Sequence, residues 1–320
     1  MRVTLPALDA APPAFLNRPA TLRIALAIAT AGRPDCVAQL LERIAGQARP
    51  PDGIVVCGPT EADVAGIRER FPFAQVVIGR RGLAAQRNAI LTELAGYDVA
   101  LFLDDDFVPG PGYVAAVEAV MKAEANVVMT TGQVIQDGIR GPGFDFAFAD
   151  AAIAADASAG APAGRFEDVY TGYGCNMAVR LAPVRAHLLA FDERLPLYAW
   201  LEDVDFSRQI APYGRIVRVP ASRGVHLGIK SGRQSGLRLG YSQIANPIHL
   251  MRKGTCSYRK ALYLMCRNVA ANLSRCPRPE PYVDRLGRCL GNLRAAFDII
   301  TGRLDPARIL SFDPARGGGR

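Results

Sequence analysis

The sequence predicts an α/β fold in which a mainly parallel, Rossmann-like sheet is flanked by helices and followed by a helical C-terminal extension. Short apolar segments alternate with helix-like segments between residues 22 and 136, and repeated β-α units build a parallel sheet with helices on both faces. The 320 residues are 50% hydrophobic and 21% charged, which is typical of a folded chain with a sizeable core. The last hundred residues are basic and have helical apolar spacing.

The predicted elements follow one another in a regular order. Apolar residues run continuously or alternate in five segments that we expect to be strands, at residues 22–30, 53–58, 74–79, 98–106 and 126–136. Helical spacing marks the segments between them, at residues 34–47, 61–71, 82–96 and 112–125. Ligands of such sheets bind at the carboxyl ends of the strands, so residues at those ends are candidates for a site.

The net charge of +8 conceals two regions of opposite sign. From Arg215 onward there are 20 Lys or Arg against 5 Asp or Glu, and the first 214 residues have a net charge of −7. An acidic body with a basic tail suggests a polyanionic partner for the tail, either an anionic membrane surface, a phosphorylated lipid or nucleic acid. A basic helical surface that is simply solvated is the alternative.

Cysteine use and hydropathy favour a cytoplasmic protein. Seven cysteines are scattered without a C-x-x-C pair, which favours reduced thiols over a disulfide or zinc framework. Residues 1–20, which we expect to be an N-terminal extension, lack the apolar core of a secretory signal, and no stretch reaches about 18 consecutive apolar residues. We therefore expect no membrane span and leave open peripheral attachment to the cytosolic face of a membrane.

The fourth predicted strand ends on three adjacent carboxylates, Asp104, Asp105 and Asp106. They repel one another unless a cation or water compensates their charge. Side chains alternate along an extended strand, so Asp104 and Asp106 point to one side and Asp105 to the other. Two carboxylates on one side suit a hard divalent cation such as Mg²⁺ or Mn²⁺. The three aspartates predict a site for a metal-bound diphosphate. The alternative is that they cap a helix or lie on a turn without binding a ligand.

Four segments, in this order, resemble family 2 glycosyltransferases of the GT-A fold. They are "FLDDDFVP", similar to the D-x-D region, "GLAAQRNAIL" after the third strand, "GYGCNMAVR" on the acceptor side, and "FDERLPLYAWLEDVDFSRQI", which looks like the E-D motif and its helix. The resemblance implies a GT-A domain at residues 21–240 and inverting, metal-dependent transfer of a sugar from a nucleotide-diphosphate sugar to an acceptor hydroxyl. Polysaccharide, glycolipid or cell-envelope glycan synthesis is the implied setting.

The resemblance also assigns the donor site. It gives Asp106 to the metal and Asp104 to the nucleotide, and it suggests His226 as a third metal ligand, because neutral imidazole joins oxygen ligands on Mn²⁺. The implied donor-binding residues are Thr30, Arg33, Arg87, Asn88, Asp104 and Asp105. Where family members carry an acidic pair after the second strand, this chain has "CG", and the nearby Glu61 and Asp63 are at the wrong spacing. Uridine diphosphate is the default donor base, with guanosine and thymidine diphosphate sugars open.

Sugar transfer with inversion needs a general base that takes the proton of the acceptor hydroxyl. Glu202, Asp203 and Asp205 crowd the start of a predicted helix, where the dipole favours ionised carboxylates. By the resemblance Asp203 is the base, and Glu202 orients the acceptor or the base; ordinary helix N-terminal charge is the alternative. Tyr198 and Trp200 precede the cluster, and their aromatic faces suit a pyranose acceptor, although a core role for Trp200 is equally open.

The segment "GIKSGRQSGLRLGY" follows His226 and is rich in glycine and basic residues. Glycines let a loop move, and Lys230 and Arg233 are placed to neutralise the leaving diphosphate. We expect a lid ordered by the donor, with a flexible linker as the alternative.

The region 241–320 is expected to be helical, with a disordered end at residues 313–320. Apolar residues fall three and four positions apart at Val283, Leu286, Leu290, Leu293, Phe297 and Ile300, which is typical of an amphipathic helix. Residues 257–273 repeat the pattern. We expect these helices to pack on their own domain or on a second subunit in a homo-oligomer, with peripheral membrane contact near a lipid-linked acceptor as the second interpretation.

Two other classes of protein share some of these features. A nucleotidyltransferase shares the sheet and acidic metal site, but its Gly-rich basic loop after the first strand matches "ATAGRPD" poorly. A non-catalytic nucleic-acid or membrane-binding protein would use the basic tail and leave the carboxylates unexplained. Because neither accounts for both acidic clusters, we expect a nucleotide-sugar donor, a glycan or lipid-linked acceptor, and no nucleic acid.

Overall fold

The computed structural model describes residues 21–160, 166–230 and 235–312. The expected N-terminal extension, the predicted lid residue Arg233 and the expected disordered end at 313–320 lie outside these ranges.

Nine strands of the described chain form one sheet. In chain order they are β1 (Ile24–Ala29), β2 (Gly53–Gly58), β3 (Ala74–Ile78), β4 (Val99–Asp104), β5 (Phe107–Pro109), β6 (Val127–Asp137), β7 (Glu167–Asp168), β8 (Asn176–Arg180) and β9 (Arg215–His226). Their spatial order is β3-β2-β1-β4-β8-β6-β9-β5, with β7 paired to β9. All five strands predicted from the amino-terminal half are present. β1 and β4 pair side by side near the centre of the sheet.

The sheet is mainly parallel but not parallel throughout. β3, β2, β1 and β4 are parallel neighbours, and β6 is parallel to β9. β8 runs antiparallel between β4 and β6, and β5 and β7 run antiparallel to β9. The fourth strand was expected to reach Asp106, but it ends at Asp104, and Asp105 and Asp106 form a turn. This turn takes the chain from the centre of the sheet to its far edge, where β5 pairs with β9.

Two apolar clusters cover the two faces of the sheet. Along β1, Ile24, Leu26 and Ile28 belong to one cluster, and the alternate residues Ala25 and Ala27 belong to the other, as the pleat of a strand requires. The first cluster includes residues of α1 (Pro34–Ile44), α2 (Ile67–Arg70) and α4 (Tyr113–Ala123). The second includes residues of α3 (Leu83–Glu93), α6 (Leu181–Ala186) and α7 (Glu202–Ile210). The carboxyl end of β4 is therefore fixed between two packed layers.

Two helical segments differ from the sequence expectation. The helix expected at residues 61–71 is broken at Gly66, whose φ of +73° is left-handed, into a 3-10 turn (Glu61–Val64) and α2. Helix α5 (Phe146–Ser158) was not predicted; it is capped by Asp145, whose side chain accepts a hydrogen bond from the backbone of Phe148.

Three helices complete the described chain, α8 (Gly236–Lys253), α9 (Tyr258–Arg275) and α10 (Arg285–Ile300). Leu250 of α8 lies in the core cluster that α7 also joins, whereas Tyr241 and Ile244 of α8 pack in a separate cluster with Ala295 of α10. The domain boundary expected between residues 240 and 241 falls inside α8. In the described ranges no helix combines the length and the hydropathy needed to cross a bilayer.

Candidate active site

The ends of β4 and β9 bring together the residues predicted to hold a metal. One ligand atom from each of Asp104, Asp106 and His226 lies within 4.8 Å of the other two. The antiparallel register of β5 and β9 pairs Phe107 with His226, and this pairing places the imidazole Nε2 3.6 Å from Asp106 Oδ1. Two carboxylate oxygens and one imidazole nitrogen are donors that suit Mn²⁺, and oxygen donors also suit Mg²⁺. The chemistry of the cluster therefore fits a divalent cation.

His226 is oriented from behind by a carboxylate that the sequence analysis did not single out. Its Nδ1 lies 2.9 Å from Oδ1 of Asp137, the last residue of β6, and the Tyr173 hydroxyl donates to Asp137 Oδ2 at 3.1 Å. Burial alone would lower the pKa of His226, but Asp106 and Asp137 raise it to about 10. Burial would likewise raise the pKa of Asp106, whereas the adjacent imidazole of His226 lowers it to about 2. A carboxylate behind the ring is the usual support of a ligating histidine.

Asp105 points away from this cluster and closes the adjacent loop. The Thr30 hydroxyl donates to Asp105 Oδ2 at 2.6 Å, and the Arg33 guanidinium lies 2.5 Å from Asp105 Oδ1. Burial raises the pKa of Asp105 to about 7 against the opposing charge of Arg33. Arg33 also lies 3.5 Å from Asp106. The structure thus gathers Thr30, Arg33 and all three aspartates at the carboxyl ends of β1 and β4. Asp105 is enclosed by its partners Thr30 and Arg33.

Arg87 links the two acidic clusters. Its buried guanidinium donates to Asp104 Oδ1 at 3.0 Å and to the Gly174 carbonyl at 2.7 Å, and it lies 2.7 Å from Glu202 Oε1. The prediction that Arg87 approaches the nucleotide did not include this bridge, because Glu202 is 115 positions further along the chain. The guanidinium is thus shared between the acidic side chains of the two clusters.

The Asn88 side chain contacts the loop that precedes α7. Its amide donates to the Phe191 carbonyl and to Glu193 Oε1, both at 2.9 Å, and accepts from the Phe191 N–H at 2.8 Å. These bonds fix the loop that leads to α7. The structure therefore uses the Asn88 side chain on this loop, while its neighbour Arg87 faces the aspartates.

Asp203 lies at the start of α7 and is joined to the metal-type cluster through two backbone residues. Its Oδ2 accepts from the Gly174 N–H at 3.0 Å, and its Oδ1 accepts from the Val204 N–H at 2.8 Å. The carbonyl of Cys175, the residue after Gly174, accepts from the Asp104 backbone N–H at 3.1 Å. Burial raises the pKa of Asp203, against the pull of these N–H groups. Residues 174 and 175 therefore bind the Asp203 carboxylate and the Asp104 backbone.

Glu202 is buried beside Asp203. Burial raises its pKa to about 8, although Arg87 opposes the shift. Its Oε2 is buried and has no hydrogen-bond partner within the described chain. A Cβ added at Gly174 would come within 2.7 Å of Glu202 Oε1, so a larger residue at this position would displace the Glu202 side chain. Asp205, the third acidic residue, is fully buried and pairs instead with Lys253 at 2.7 Å.

The loop before α7 is strained. Leu197, Ala199 and Leu201 have φ values of 59°, 51° and 75°, a left-handed conformation that costs a non-glycine residue about 1–3 kcal/mol. Tyr198 on this loop is 41% exposed, whereas Trp200 is half-buried against the second core cluster. Tyr198 is thus presented at the surface and Trp200 contributes to packing.

Lys230 and Asp63 are brought near the site by contacts that spacing did not reveal. The Lys230 ammonium donates to the carbonyls of Gly138 and Ile139 at 3.0 Å, and the neighbouring Ile229 N–H donates to Asp106 Oδ2 at 2.9 Å. Asp63 Oδ1 accepts from the Gly32 N–H at 2.6 Å. Asp63 therefore reaches the loop after β1 although its spacing differs from that of the acidic pair in family members.

Comparison with solved structures identifies the fold. TarS 1–349 of S. aureus in complex with UDP-GlcNAc has a TM-score of 0.51 and 15% identity, covering 72% of this chain and 67% of that one. The mannosyltransferase PcManGT of Pyrobaculum calidifontis, in complex with GDP-Man and Mn²⁺, has a TM-score of 0.53 and 17% identity, covering 93% of this chain and 90% of that one. GalNAc-T7 with UDP, GalNAc and Mn²⁺ has a TM-score of 0.54 and 14% identity, covering 89% of this chain and 59% of that one. The expected GT-A fold is confirmed. No family model and no curated protein matches the chain.

Proposed function

We propose that this chain is a family 2 glycosyltransferase that moves a sugar, with inversion, from a nucleotide-diphosphate sugar to an acceptor hydroxyl. The observation that carries the proposal is the position of residues 174–175, whose backbone bonds Asp203 at 3.0 Å and Asp104 at 3.1 Å. A diphosphate at the Asp104 cluster and an acceptor at Asp203 would lie on either side of this segment. Nucleotide sugars in GT-A structures of similar fold add support.

Asp104, Asp106 and His226 would hold Mn²⁺ or Mg²⁺, which supplies positive charge to a diphosphate leaving group. Thr30 and Arg33 lie at the carboxyl end of β1, where nucleotides bind in open α/β sheets. The Arg33 guanidinium retains 20% side-chain exposure beside Asp105, so part of it is available to a donor phosphate. These residues bind and orient the donor.

Asp203 would accept the proton of the acceptor hydroxyl as that oxygen attacks the anomeric carbon. Both of its oxygens receive one backbone N–H, and each keeps a lone pair for an incoming hydroxyl. Because burial raises the pKa of Asp203, its carboxylate is a stronger base than one in water. Glu202 would orient Asp203 through their adjacent places on the first turn of α7, and Tyr198 would offer its face to an acceptor sugar.

The first test measures donor binding by thermal shift. Uridine, guanosine and thymidine diphosphates and their sugars are screened with and without Mn²⁺ or Mg²⁺, and we expect one base to stabilise the protein only with metal. A ligand present at a hundred times its Kd stabilises the folded state by about 2.7 kcal/mol. Asp106→Asn should lose the effect. Asp35→Asn, an exposed carboxylate at the start of α1, is the matched control. No stabilisation by any pair, or a normal response of Asp106→Asn, would refute the metal site.

The second test separates chemistry from binding. Asp203→Asn should keep the metal-dependent thermal shift and lose transfer by at least about a hundredfold, the lower range for removal of a general base. Nucleoside diphosphate is the expected product, whereas pyrophosphate would indicate a nucleotidyltransferase. Turnover of Asp203→Asn close to the wild-type rate would place the base elsewhere.

A further inference from the structure

Helix α10 is amphipathic with its polar side inward. Its buried residues include Arg285, Asn292 and Asp298. Its outward face carries five large apolar residues that are 50–84% exposed, Leu286, Leu290, Leu293, Phe297 and Ile300. Their spacing places them on one stripe. These helices were expected to pack on their own domain or on a second subunit; α10 packs on α8, but in the described chain its apolar stripe faces outward.

The orientation of α10 is fixed by polar bonds on its inner side. Asn292 donates to the Gly240 carbonyl at 2.7 Å, and Arg285 donates to Asn272 Oδ1 at 3.0 Å. Asp298 accepts from the Tyr241 hydroxyl at 2.8 Å. Rotating the helix to bury its apolar stripe would leave these buried groups unpaired, at about 1–3 kcal/mol each. The exposed stripe is therefore a built-in feature of the fold.

The neighbouring helix extends the same kind of surface. Tyr258, Tyr263 and Leu273 of α9 are 60–65% exposed, and the exposed Arg259 and Arg267 lie on the same helix. Residues 236–312 contain 13 Lys or Arg against 4 Asp or Glu. The outward faces of α9 and α10 thus combine large apolar side chains, two tyrosines and a net positive charge.

This combination selects among possible occupants. A second copy of the chain would bring a surface of the same charge against itself, because a two-fold interface pairs identical patches. An anionic lipid surface supplies opposite charge at its headgroups, an apolar layer below them, and an interface that tyrosine favours. We propose that the outward faces of α9 and α10, here called the docking surface, bind an anionic lipid bilayer without spanning it.

The docking surface begins close to the candidate active site. The Tyr282 hydroxyl, four residues before Leu286, donates to the Arg140 carbonyl at 3.4 Å, and its ring lies 5.6 Å from the Lys230 ammonium. Ile229, next to Lys230, donates to Asp106. On the proposed function, a bilayer at this surface would present a lipid-linked acceptor near the donor. Lipid binding itself does not depend on that function.

Vesicle flotation of the full chain tests the proposal. We expect binding to phosphatidylcholine vesicles that contain phosphatidylglycerol, weaker binding at high salt, and little binding to phosphatidylcholine alone. L290E/L293E should reduce the partition at least about tenfold, since two exposed leucines that would enter the bilayer are replaced by charged side chains. Phe73→Glu is the matched control, because Phe73 is 58% exposed on the α/β domain, and it should bind like the wild type.

A second variant tests the charge. R259E/R267E should lose binding to the anionic vesicles while it keeps the circular dichroism spectrum and thermal unfolding of the wild type. Absence of wild-type binding to anionic vesicles would overturn the proposal, as would unchanged binding of L290E/L293E. A solution dimer that L290E/L293E dissociates, without vesicle binding by the wild type, would assign the surface to a second copy. No outcome requires sugar transfer, so failure here is distinct from failure of the proposed function.

Discussion

Replacing Glu202 by glutamine should stabilise the protein at neutral pH. The Glu202 carboxyl is buried against Arg87, with Asp203 and Asp104 as further charges nearby, and its pKa is raised to about 8. An unfolded chain releases this proton near pH 4.5, the ordinary value for the group. The folded state therefore holds a proton that the unfolded state has lost throughout the window between these two values.

The size of the effect follows from linkage. Since the folded state binds more protons, stability falls by about 1.4 kcal/mol for each pH unit from the unfolded pKa up to the folded one. At pH 7 the loss from Glu202 is about 3 kcal/mol. Glutamine has the shape of the neutral acid, and its Oε1 can still accept from Arg87. Glu202→Gln should recover most of this loss at pH 7 and almost none at pH 4.5.

Urea unfolding at several pH values measures the difference between wild type and Glu202→Gln, and titrating groups distant from Glu202 cancel in that difference. The matched control is Glu61→Gln, because Glu61 also pairs with an arginine, Arg68, at 2.7 Å but is 71% exposed. An exposed pair is worth about 0–1 kcal/mol, so its pH profile should follow the wild type. A free-energy difference for Glu202→Gln that does not grow between pH 5 and pH 8 would refute the reasoning.

Two further substitutions examine the surroundings of the carboxylates. Gly174→Ala places a Cβ 2.7 Å from Glu202 Oε1, so we expect a loss of about 1–3 kcal/mol in urea unfolding and a lower transfer rate; wild-type values of both would show that the site relaxes freely. Asp137→Asn removes the charge behind His226, and loss of such support weakens metal binding by about 10–100-fold. Calorimetric titration of the protein with Mn²⁺ in the presence of nucleoside diphosphate measures this affinity, and an unchanged value would refute the supporting role of Asp137.

The sheet was predictable because each central strand is a continuous apolar segment that ends in turn residues, as in Val99–Asp104. Asp104 and Asp106 were expected on one side by strand alternation; they do share a cluster, but Asp106 reaches it from a turn and not from the strand. The face of α10 was not predictable in this way. Apolar spacing shows that a helix has two unlike faces, and which face is buried depends on partners such as Gly240 and Asn272, which lie far away in sequence.

The side-chain contacts within the candidate site could not be predicted from the sequence either. Arg87 was assigned to the nucleotide from its place on a helix, but its guanidinium bridges Asp104 and Glu202, a contact that only the crossing of two elements creates. Asp137 follows a strand that was predicted, yet nothing in its neighbours distinguishes it from any polar strand end. Motif order predicted where the carboxylates gather, while tertiary contacts decide what each of them touches.

Helix α8 connects the base-bearing loop to the C-terminal helices. Three left-handed residues before α7 must be held in place by contacts around them, and Asn246 of α8 supplies one by donating to the Trp200 carbonyl at 2.7 Å. Lys253 of α8 and Thr255 just beyond it bind Asp205 on the first turns of α7, at 2.7 and 2.6 Å. The opposite side of α8 receives α10 through Gly240. Because one helix packs against both, the position of the proposed base and the orientation of the docking surface are set by the same rigid element.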